Sequence, residues 1–180
     1  MLRSAATEEL NVPASLIAAR GLRPCAEARD LELAEIGADG REHLLVPEAA
    51  AAWRHMKRAA AQDNIVLIIV SAYRSIERQA AIVRRKLEAG ASLEQVLAVS
   101  APPGFSEHHT GRAVDLGTPD AGVLEASFAE TAAFRWLERR AGEFCFVLSY
   151  PSGNPEGYDF EPWHWRYQTV PPNESLDPTR

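Results

Sequence analysis

At 180 residues, with 46% of them hydrophobic, the chain is long enough to bury one sizeable core and short for two, so we expect a single domain. The formal net charge of −6 and the scattered lysines and arginines give no electrostatic footprint for nucleic acid or for an anionic membrane. Cys25 and Cys145 form no CxxC pair, so the sequence predicts neither a disulfide framework nor a thiolate zinc site.

The sequence as printed predicts no membrane span and no export signal. No run approaches the roughly 18 apolar residues that a span needs, and the first residues lack a basic segment followed by an apolar one. The compartment is therefore left open. It is periplasmic or otherwise extracytoplasmic if an export signal has been removed, and cytoplasmic if not. The oligomeric state is equally open.

The first half of the chain predicts a hairpin, a helix and a strand. Short strands at residues 31–33 and 44–46 flank the turn at residues 38–40. Pro47 suits the first turn of a helix. The apolar residues of this helix recur on one face: Ala49, Trp53, Met56 and Ala60. Residues 65–70 form an unbroken apolar run, which we interpret as a strand buried on both faces at the centre of a sheet.

Two helices are predicted after that strand. Arg74 lies at the junction between the strand and the first helix, which has apolar residues on one side over residues 76–87 and ends at Gly90. Residues 92–95 fit a capping box that begins a short second helix. A loop at residues 102–104 follows it.

The remaining elements complete the expected fold. We predict strands over residues 112–116 and 144–150, with one helix over residues 124–140 between them. Cys145 lies in the second strand and is expected in the core. Because helices and strands are mixed without a strict βαβ alternation, the predicted fold class is α+β, with helices packed on a mainly antiparallel sheet.

The block SEHHTGRAVD, residues 106–115, holds a histidine and an aspartate that could bind a metal together. In a strand, Asp115 shares its face with the small residues Ala113 and Gly117. A turn at Gly111 could fold His108 back towards this carboxylate, and imidazole nitrogen and carboxylate oxygen both suit zinc. Taken alone, however, the block is better interpreted as a surface loop that leads into a strand.

The block EPWHWRY, residues 161–167, places a second histidine next to an acid. Pro162 favours an extended conformation for Glu161, and a bend there could aim Glu161 and His164 at one point. The aromatic neighbours would lower the local dielectric and strengthen metal binding, but they are also ordinary core residues. Taken alone, this block favours a core histidine.

The two blocks together favour catalysis. Two histidines and one carboxylate make the three-ligand set of a catalytic zinc site that leaves a fourth position open. Glu161, which is not needed as a ligand, can then act as the base that takes and returns a proton. Arg74 could stabilise an oxyanion or bind a substrate carboxylate, although alone it would be interpreted as a surface arginine paired with Glu77.

Three blocks resemble the signature of the bacterial zinc D-alanyl-D-alanine carboxypeptidase family: SAYRS (residues 71–75), SEHHTGRAVD (106–115) and EPWHW (161–165). That family includes the vancomycin-resistance carboxypeptidases and dipeptidases and related L,D-carboxypeptidases. Order and internal spacing agree throughout, and the similarity spans about residues 45–168. The resemblance implies the compact α+β fold of the zinc D,D-peptidases, which is hedgehog-like.

The resemblance also implies roles for individual residues. The implied zinc ligands are His108, Asp115 and His164. Glu161 would be the general base, and Arg74 would engage the scissile carbonyl or the terminal carboxylate of the substrate. The residues implied to line the substrate pocket are Ser106, Tyr73 and Tyr150.

The resemblance and its extent also place the other histidines and the chain ends. His109 is interpreted as a residue behind the ligands or as an exposed one. His43 and His55 fall outside every block and are expected at the surface. The predicted organisation has three parts: an N-terminal extension packing on the domain (1–44), a catalytic domain (45–170) and a tail (171–180).

The favoured function is hydrolysis of the C-terminal D-amino acid from a peptidoglycan stem peptide or precursor, with Zn²⁺ as the cofactor. A D-alanyl-D-alanine dipeptidase and a peptidoglycan endopeptidase use the same chemistry and stay possible, and D,D and L,D bonds are not distinguished. A zinc-stabilised module that binds wall peptides or a partner protein without cleaving them is the alternative from another class. The presence of Glu161 counts against it, because such a module would be expected to have lost the base.

Overall fold

The computed structural model describes Thr7 and residues 9–119 and 121–169. The α-helices of this part are α1 (Ala14–Ala19), α2 (Pro47–Gln62), α3 (Ile76–Glu88), α4 (Leu93–Ala98) and α5 (Ala132–Arg140). The strands are β1 (Glu32–Ile36), β2 (Glu42–Leu45), β3 (Ile68–Ser71), β4 (Ala113–Gly117), β5 (Phe146–Leu148) and β6 (His164–Tyr167). Short 3₁₀ helices cover Glu107–Thr110, Ala126–Glu130 and Ala141–Phe144. None of the described helices is long and apolar enough to cross a membrane.

The strands form two antiparallel sheets. β1 and β2 make the predicted hairpin, and the other four strands pair in the order β3-β4-β6-β5 with every neighbouring pair antiparallel. In this register Asp115 of β4 lies between Ser71 of β3 and His164 of β6. The α+β fold with a mainly antiparallel sheet is therefore confirmed, and β4, one of the two inner strands of the larger sheet, carries the predicted aspartate.

β3 was wrongly predicted as the centre of the sheet. The strand begins at Ile68 and lies at the edge, paired with β4 alone. Leu67 and Ile69 are buried, whereas Val66 is 55% exposed. The residues of the unbroken apolar run therefore alternate between buried and more exposed positions. Such a run is possible because β-branched residues favour strands on an exposed face as well as on a buried one.

The helices that flank the site follow the sequence pattern. α2 buries the predicted face, with Trp53 and Met56 fully inside the main core. α3 begins after Ser75, whose hydroxyl accepts from the amide of Arg78, and its buried face includes Ala80 and Val83. α4 begins with the predicted capping box of Ser92 and Gln95. Side-chain capping thus sets where α3 and α4 begin, whereas α2 begins at Pro47 without a capping side chain.

The predicted helix over residues 124–140 is wrong in its first half. Residues Ala126–Glu130 form a 3₁₀ helix, and α5 begins only after Thr131, which has an extended conformation. The Thr131 hydroxyl accepts from the amide of Phe134 and donates to the carbonyl of Phe128, so one side chain ends one helix and begins the next.

The strand predicted over residues 144–150 shortens to β5. Cys145 precedes the strand with a φ of 62°, ends a 3₁₀ helix and is only partly buried. It is therefore not the core strand residue that the alternation predicted. A cysteine in this left-handed conformation cannot continue a β ladder.

The N-terminal segment packs against one side of the fold. Val12, Ile17 and Leu22 join a second apolar cluster with Leu97, Phe105, Tyr150 and Tyr158. The division into extension, catalytic domain and tail stays a prediction, and residues 171–180 lie outside the described residues. The β1–β2 hairpin crosses the predicted boundary at residue 44, because β1 pairs with β2.

Gly111 makes the predicted turn between His108 and β4. Its φ is 64°, a conformation that favours glycine, and it ends the 3₁₀ helix that carries His108. A Cβ atom on this residue would lie 2.9 Å from Leu31 Cδ2 and 3.1 Å from Val46 Cγ1. The backbone conformation and the close packing therefore both require glycine.

We expect Gly111→Ala to lower the free energy of unfolding by about 2–4 kcal/mol, because left-handed strain and steric overlap add together. The matched control is Gly153→Ala. Gly153 has a φ of 74° with no atom within 4 Å of the added Cβ, so it has the strain alone. Urea denaturation of both variants measures the difference. Equal losses of stability would show that the packing around Gly111 can relax.

Candidate metal centre and active site

His108 is buried and held by the backbone of the strand-to-helix junction. Its Nδ1 lies 2.7 Å from the carbonyl oxygen of Ala72, which assigns the proton to Nδ1. Its Nε2 therefore carries a lone pair and lies 3.1 Å from Asp115 Oδ2. A neutral imidazole fixed in this way is in the form that binds a metal ion.

Asp115 and His164 face each other across β4 and β6. Asp115 Oδ1 lies 3.0 Å from His164 Nδ1, and both side chains are buried. With His108, these residues offer one ligand atom each, all within 4.8 Å of one another. Two imidazole nitrogens and one carboxylate oxygen fit the donor set of a divalent transition metal, so this cluster could hold a metal ion.

The charges of this cluster depend on one another. Burial lowers the pKa of His108. Burial alone would raise the pKa of Asp115, but the attraction and hydrogen bonds of His108 and His164 hold it well below its usual range. Burial opposes the charge of His164, yet hydrogen bonds to Asp115 and Glu107 raise its pKa to about 10. Metal binding to His164 must therefore release a proton and will weaken at low pH.

Glu107 orients His164 from the other side of the ring. Its Oε2 lies 3.0 Å from His164 Nε2 and accepts a 2.6 Å hydrogen bond from Ser149. Its Oε1 lies 3.1 Å from Nε of Arg166. A carboxylate in this position fixes the ring so that Nδ1 faces Asp115. The sequence did not predict this orienting role of Glu107.

Glu161 lies next to the cluster. The amide of His164 donates a 3.0 Å hydrogen bond to the carbonyl of Glu161, which confirms the bend predicted at Pro162. Glu161 Oε2 is 3.8 Å from His164 Nδ1. Burial raises the pKa of Glu161 to about 7, although the nearby charge of His164 opposes the rise. A carboxyl group that titrates near neutral pH is suited to proton transfer.

Arg74 points into the same cleft. Its guanidinium donates 2.7 Å to Gln79 Oε1 and 3.2 Å to Ser71 Oγ, and lies 3.5 Å from Asp115 Oδ2. Gln79 is itself buried and donates to the carbonyl of Ala101. No ion pair with Glu77 occurs in the described structure, so the surface interpretation of Arg74 is wrong. Gln79, which sequence reasoning missed, holds this arginine in place.

A cleft of about 630 Å³ opens in front of these groups. The predicted residues that line it are Arg74, Ser106, His108, Asp115, Tyr150, Glu161 and His164. The ring centroid of Tyr150 lies 4.6 Å from that of His164 and 4.7 Å from that of Tyr158. Tyr158 also lines the cleft. Tyr73 is not among the lining residues. Its side chain is half-buried, and burial and the charge of Glu27 raise its pKa.

Arg20 of the N-terminal segment supports this aromatic wall. Its guanidinium carbon lies 4.2 Å from the ring centre of Tyr158. Its Nη1 donates 2.7 Å to the carbonyl of Leu97, and its Nε donates to the carbonyl of Glu156. Arg20 therefore supports the Tyr150 ring indirectly, through Tyr158. No sequence motif includes this arginine.

The other histidines are distributed differently from the prediction. His109 is fully buried, and its Nδ1 donates 2.6 Å to the carbonyl of Arg74 while its Nε2 accepts from the amide of Gly104. It lies behind the site, as one of the two predicted alternatives states. His43 is only 7% exposed, so its assignment to the surface was wrong, whereas His55 on α2 is exposed as predicted.

The fold and the site define a class of protein: an α+β domain with a buried cluster that could hold a metal ion, and with a carboxylate and an arginine on the same cleft. The family model for VanY, D-alanyl-D-alanine carboxypeptidase, matches residues 42–170. The chain belongs to this family.

Two relatives show how far the sequence similarity extends. YodJ of Bacillus subtilis (strain 168), provisionally named as a carboxypeptidase, is 37% identical over 123 residues, which are 67% of this chain and 45% of YodJ. The bifunctional D-Ala-D-Ala dipeptidase and carboxypeptidase VanXYC of Enterococcus gallinarum is 30% identical over 139 residues, 73% of this chain and 71% of the relative. The chain thus spans less than half the length of YodJ.

Solved structures share the fold. The LdcB LD-carboxypeptidase has a TM-score of 0.70 and 32% identity, over 78% of this chain and 69% of that chain. VanYB in complex with D-alanine-D-alanine has a TM-score of 0.62 and 30% identity, over 81% of each chain. A mutant of the D,D-pentapeptidase VanY in complex with Zn(II) has a TM-score of 0.62 and 29% identity, over 81% of this chain and 83% of that chain.

We expect Zn²⁺ at about one hundred times its dissociation constant to raise the Tm by about 5–10 °C, because a site assembled from three separate segments would exist only in the folded protein. His164→Ala removes a ligand and should abolish this shift. Glu107→Gln weakens only the orientation of the ring and should reduce zinc affinity about 10–100-fold. His55→Ala is the matched control, since His55 is exposed on α2. A full shift in His164→Ala, measured by calorimetry, would contradict this ligand set.

Proposed function

We propose that this protein is a zinc-dependent carboxypeptidase that removes the C-terminal D-amino acid from peptidoglycan stem peptides or their precursors. The observation that carries the proposal is the buried cluster of His108, Asp115 and His164, which shares one cleft with Glu161 and Arg74. Membership of the VanY family supports the reaction. The Zn(II) complex of a related VanY enzyme supports the metal.

His108, Asp115 and His164 would hold the zinc ion and leave one position open. When bound, zinc supplies a Lewis acid that polarises the scissile carbonyl and makes water a stronger nucleophile. The ligands need little rearrangement, because His108 is held by the carbonyl of Ala72 and His164 by Glu107. A site that is organised before binding favours the transition state.

Glu161 would move the proton. Its carboxylate would accept a proton from the attacking water and deliver it to the leaving amine. Burial raises the pKa of Glu161 to about 7, so the group can both take and return a proton near neutral pH. The 3.8 Å separation between its Oε2 and His164 Nδ1 supports a role beside the metal ion.

Arg74 would engage the scissile carbonyl or the terminal carboxylate of the substrate. Its contacts with Gln79 and Ser71 support this role, because they hold the guanidinium in the cleft before the substrate arrives. A charge-assisted bond to the developing oxyanion would lower the barrier, whereas one to the terminal carboxylate would select a chain end.

The relatives support the class of substrate. VanYB binds D-alanine-D-alanine, VanXYC is both a dipeptidase and a carboxypeptidase, and LdcB is an LD-carboxypeptidase. A non-catalytic module that binds wall peptides is the alternative from another class. The presence of both Glu161 and Arg74 in one cleft favours catalysis over binding alone.

We expect Glu161→Ala to retain zinc and to lower turnover by about 10²–10⁴-fold, because proton transfer is lost. The zinc-loaded protein is incubated with a tetrapeptide stem, a pentapeptide stem and free D-alanyl-D-alanine, and the released D-alanine is identified by mass spectrometry. The substrate that is cleaved assigns the bond. Glu138→Ala is the control, because Glu138 is an exposed acid on α5. Full activity in Glu161→Ala would refute this mechanism.

The rate should also depend on pH through the same group. A base must be ionised, so kcat/KM should fall about tenfold per pH unit below the pKa of Glu161. Burial raises that pKa from 4.5 to about 7, and a bound divalent cation lowers it, so the acidic limb should lie between these values. The residual rate of Glu161→Gln should lack this limb. An unchanged limb in that variant would assign it to another group.

A further inference from the structure

One wall of the cleft is a face of α3. Arg78, Ile82, Arg85 and Lys86 line the cleft, and their spacing of four, three and one residues places them on one side of the helix. From Arg78 to Lys86 the wall extends about 12 Å along the helix axis. Lys86 is half-buried and donates 2.7 Å to Ser100 Oγ, so it is directed into the cleft.

The charge of this cleft is opposite to that of the whole chain. The chain has a net charge of −6, yet five cations line the cleft: Arg41, Arg74, Arg78, Arg85 and Lys86. The carboxylates that line it are Asp115 and Glu161, which belong to the proposed metal centre. Excess positive charge in a concave site concentrates anions.

The five cations differ in whether a carboxylate lies close enough to neutralise them. Arg41 pairs with Asp39, and Arg74 lies close to Asp115. Within the described residues, Arg78, Arg85 and Lys86 form no ion pair with a carboxylate. Arg74 and Glu161 lie close enough to Lys86 for their charges to act on its pKa, so this unpaired wall adjoins the reacting groups. Adjacent like charges repel one another, and an anionic ligand would relieve that repulsion.

We propose that Arg78, Arg85 and Lys86 bind a carboxylate of the substrate other than its C-terminal one, so that the preferred substrate is an acidic peptide. This inference rests on the proposed function. A carboxypeptidase releases one residue, and a wall of about 12 Å is longer than one residue, so we assign the further carboxylate to the residues before the scissile bond. The wall of about 12 Å matches three or four extended residues.

The test uses matched N-acetylated tetrapeptides that end in D-alanine and carry either glutamate or glutamine at the second or third position. For the better position we expect the zinc-loaded protein to favour the glutamate peptide about tenfold in kcat/KM, as charge-assisted contacts predict. In Arg78→Gln/Arg85→Gln this ratio should fall below about threefold. For the wild-type protein, 0.5 M salt should lower the ratio to a similar extent, because salt screens exposed charges. Both arginines are exposed on α3, so the variant should fold.

Arg84→Gln is the matched control for charge. Arg84 lies on the same helix but outside the cleft, where it pairs with Glu9 at 2.9 Å, so replacing it removes one positive charge, as Arg78→Gln or Arg85→Gln does alone. The selectivity ratio should stay at the wild-type value. A wild-type ratio near one at both positions would overturn the proposal, and so would an equal fall of the ratio in Arg84→Gln and in the double variant.

A failure of the proposed function can be told apart from a failure of this inference. If no peptide is cleaved, the proposed reaction is wrong. Calorimetry of the same peptides binding to the zinc-loaded protein then tests whether the cations of α3 bind the additional carboxylate. The carboxylate site is supported if the wild-type protein binds the glutamate peptide more tightly than the glutamine peptide and the double variant does not. Equal affinities for the glutamate and glutamine peptides overturn it.

Discussion

The site depends on one buried carboxylate, that of Asp115. The pairing of β4 with β6 places it 3.0 Å from His164, and the turn at Gly111 brings His108 to within 3.1 Å of it. A buried charge of this kind is tolerated only when it is paired, and removing one partner typically destabilises a protein by about 3–5 kcal/mol. The sheet register and the metal-binding cluster are therefore stabilised by the same interaction.

The groups around this carboxylate are each held by a neighbour. Ala72 fixes the tautomer of His108, Glu107 orients His164, and Gln79 holds Arg74. These supporting contacts come from the strand-to-helix junction, the 3₁₀ helix and α3. The catalytic geometry that we propose therefore exists before a substrate binds, which is the condition for electrostatic stabilisation of a transition state.

The part of the chain before the family match also contributes to the site. Arg20 contacts the Tyr158 ring, and Tyr158 lies against Tyr150, whose ring contacts His164. The apolar side chains of the same segment, among them Ile17, fill the cluster beneath these rings. One wall of the cleft therefore depends on residues that the match over residues 42–170 does not include.

The sequence by itself determined the α+β class and the helices α2 to α4, because periodicity and capping are local properties. Its resemblance to a known family predicted the three residues that the structure brings together in a cluster that could hold a metal ion. Only the tertiary structure decided that β3 is an edge strand, that Glu107 orients His164 across 57 residues of sequence and that cations of α3 face the cleft. Strand order and the direction of a surface charge depend on which distant segments pack together. No local pattern in the sequence encodes that packing.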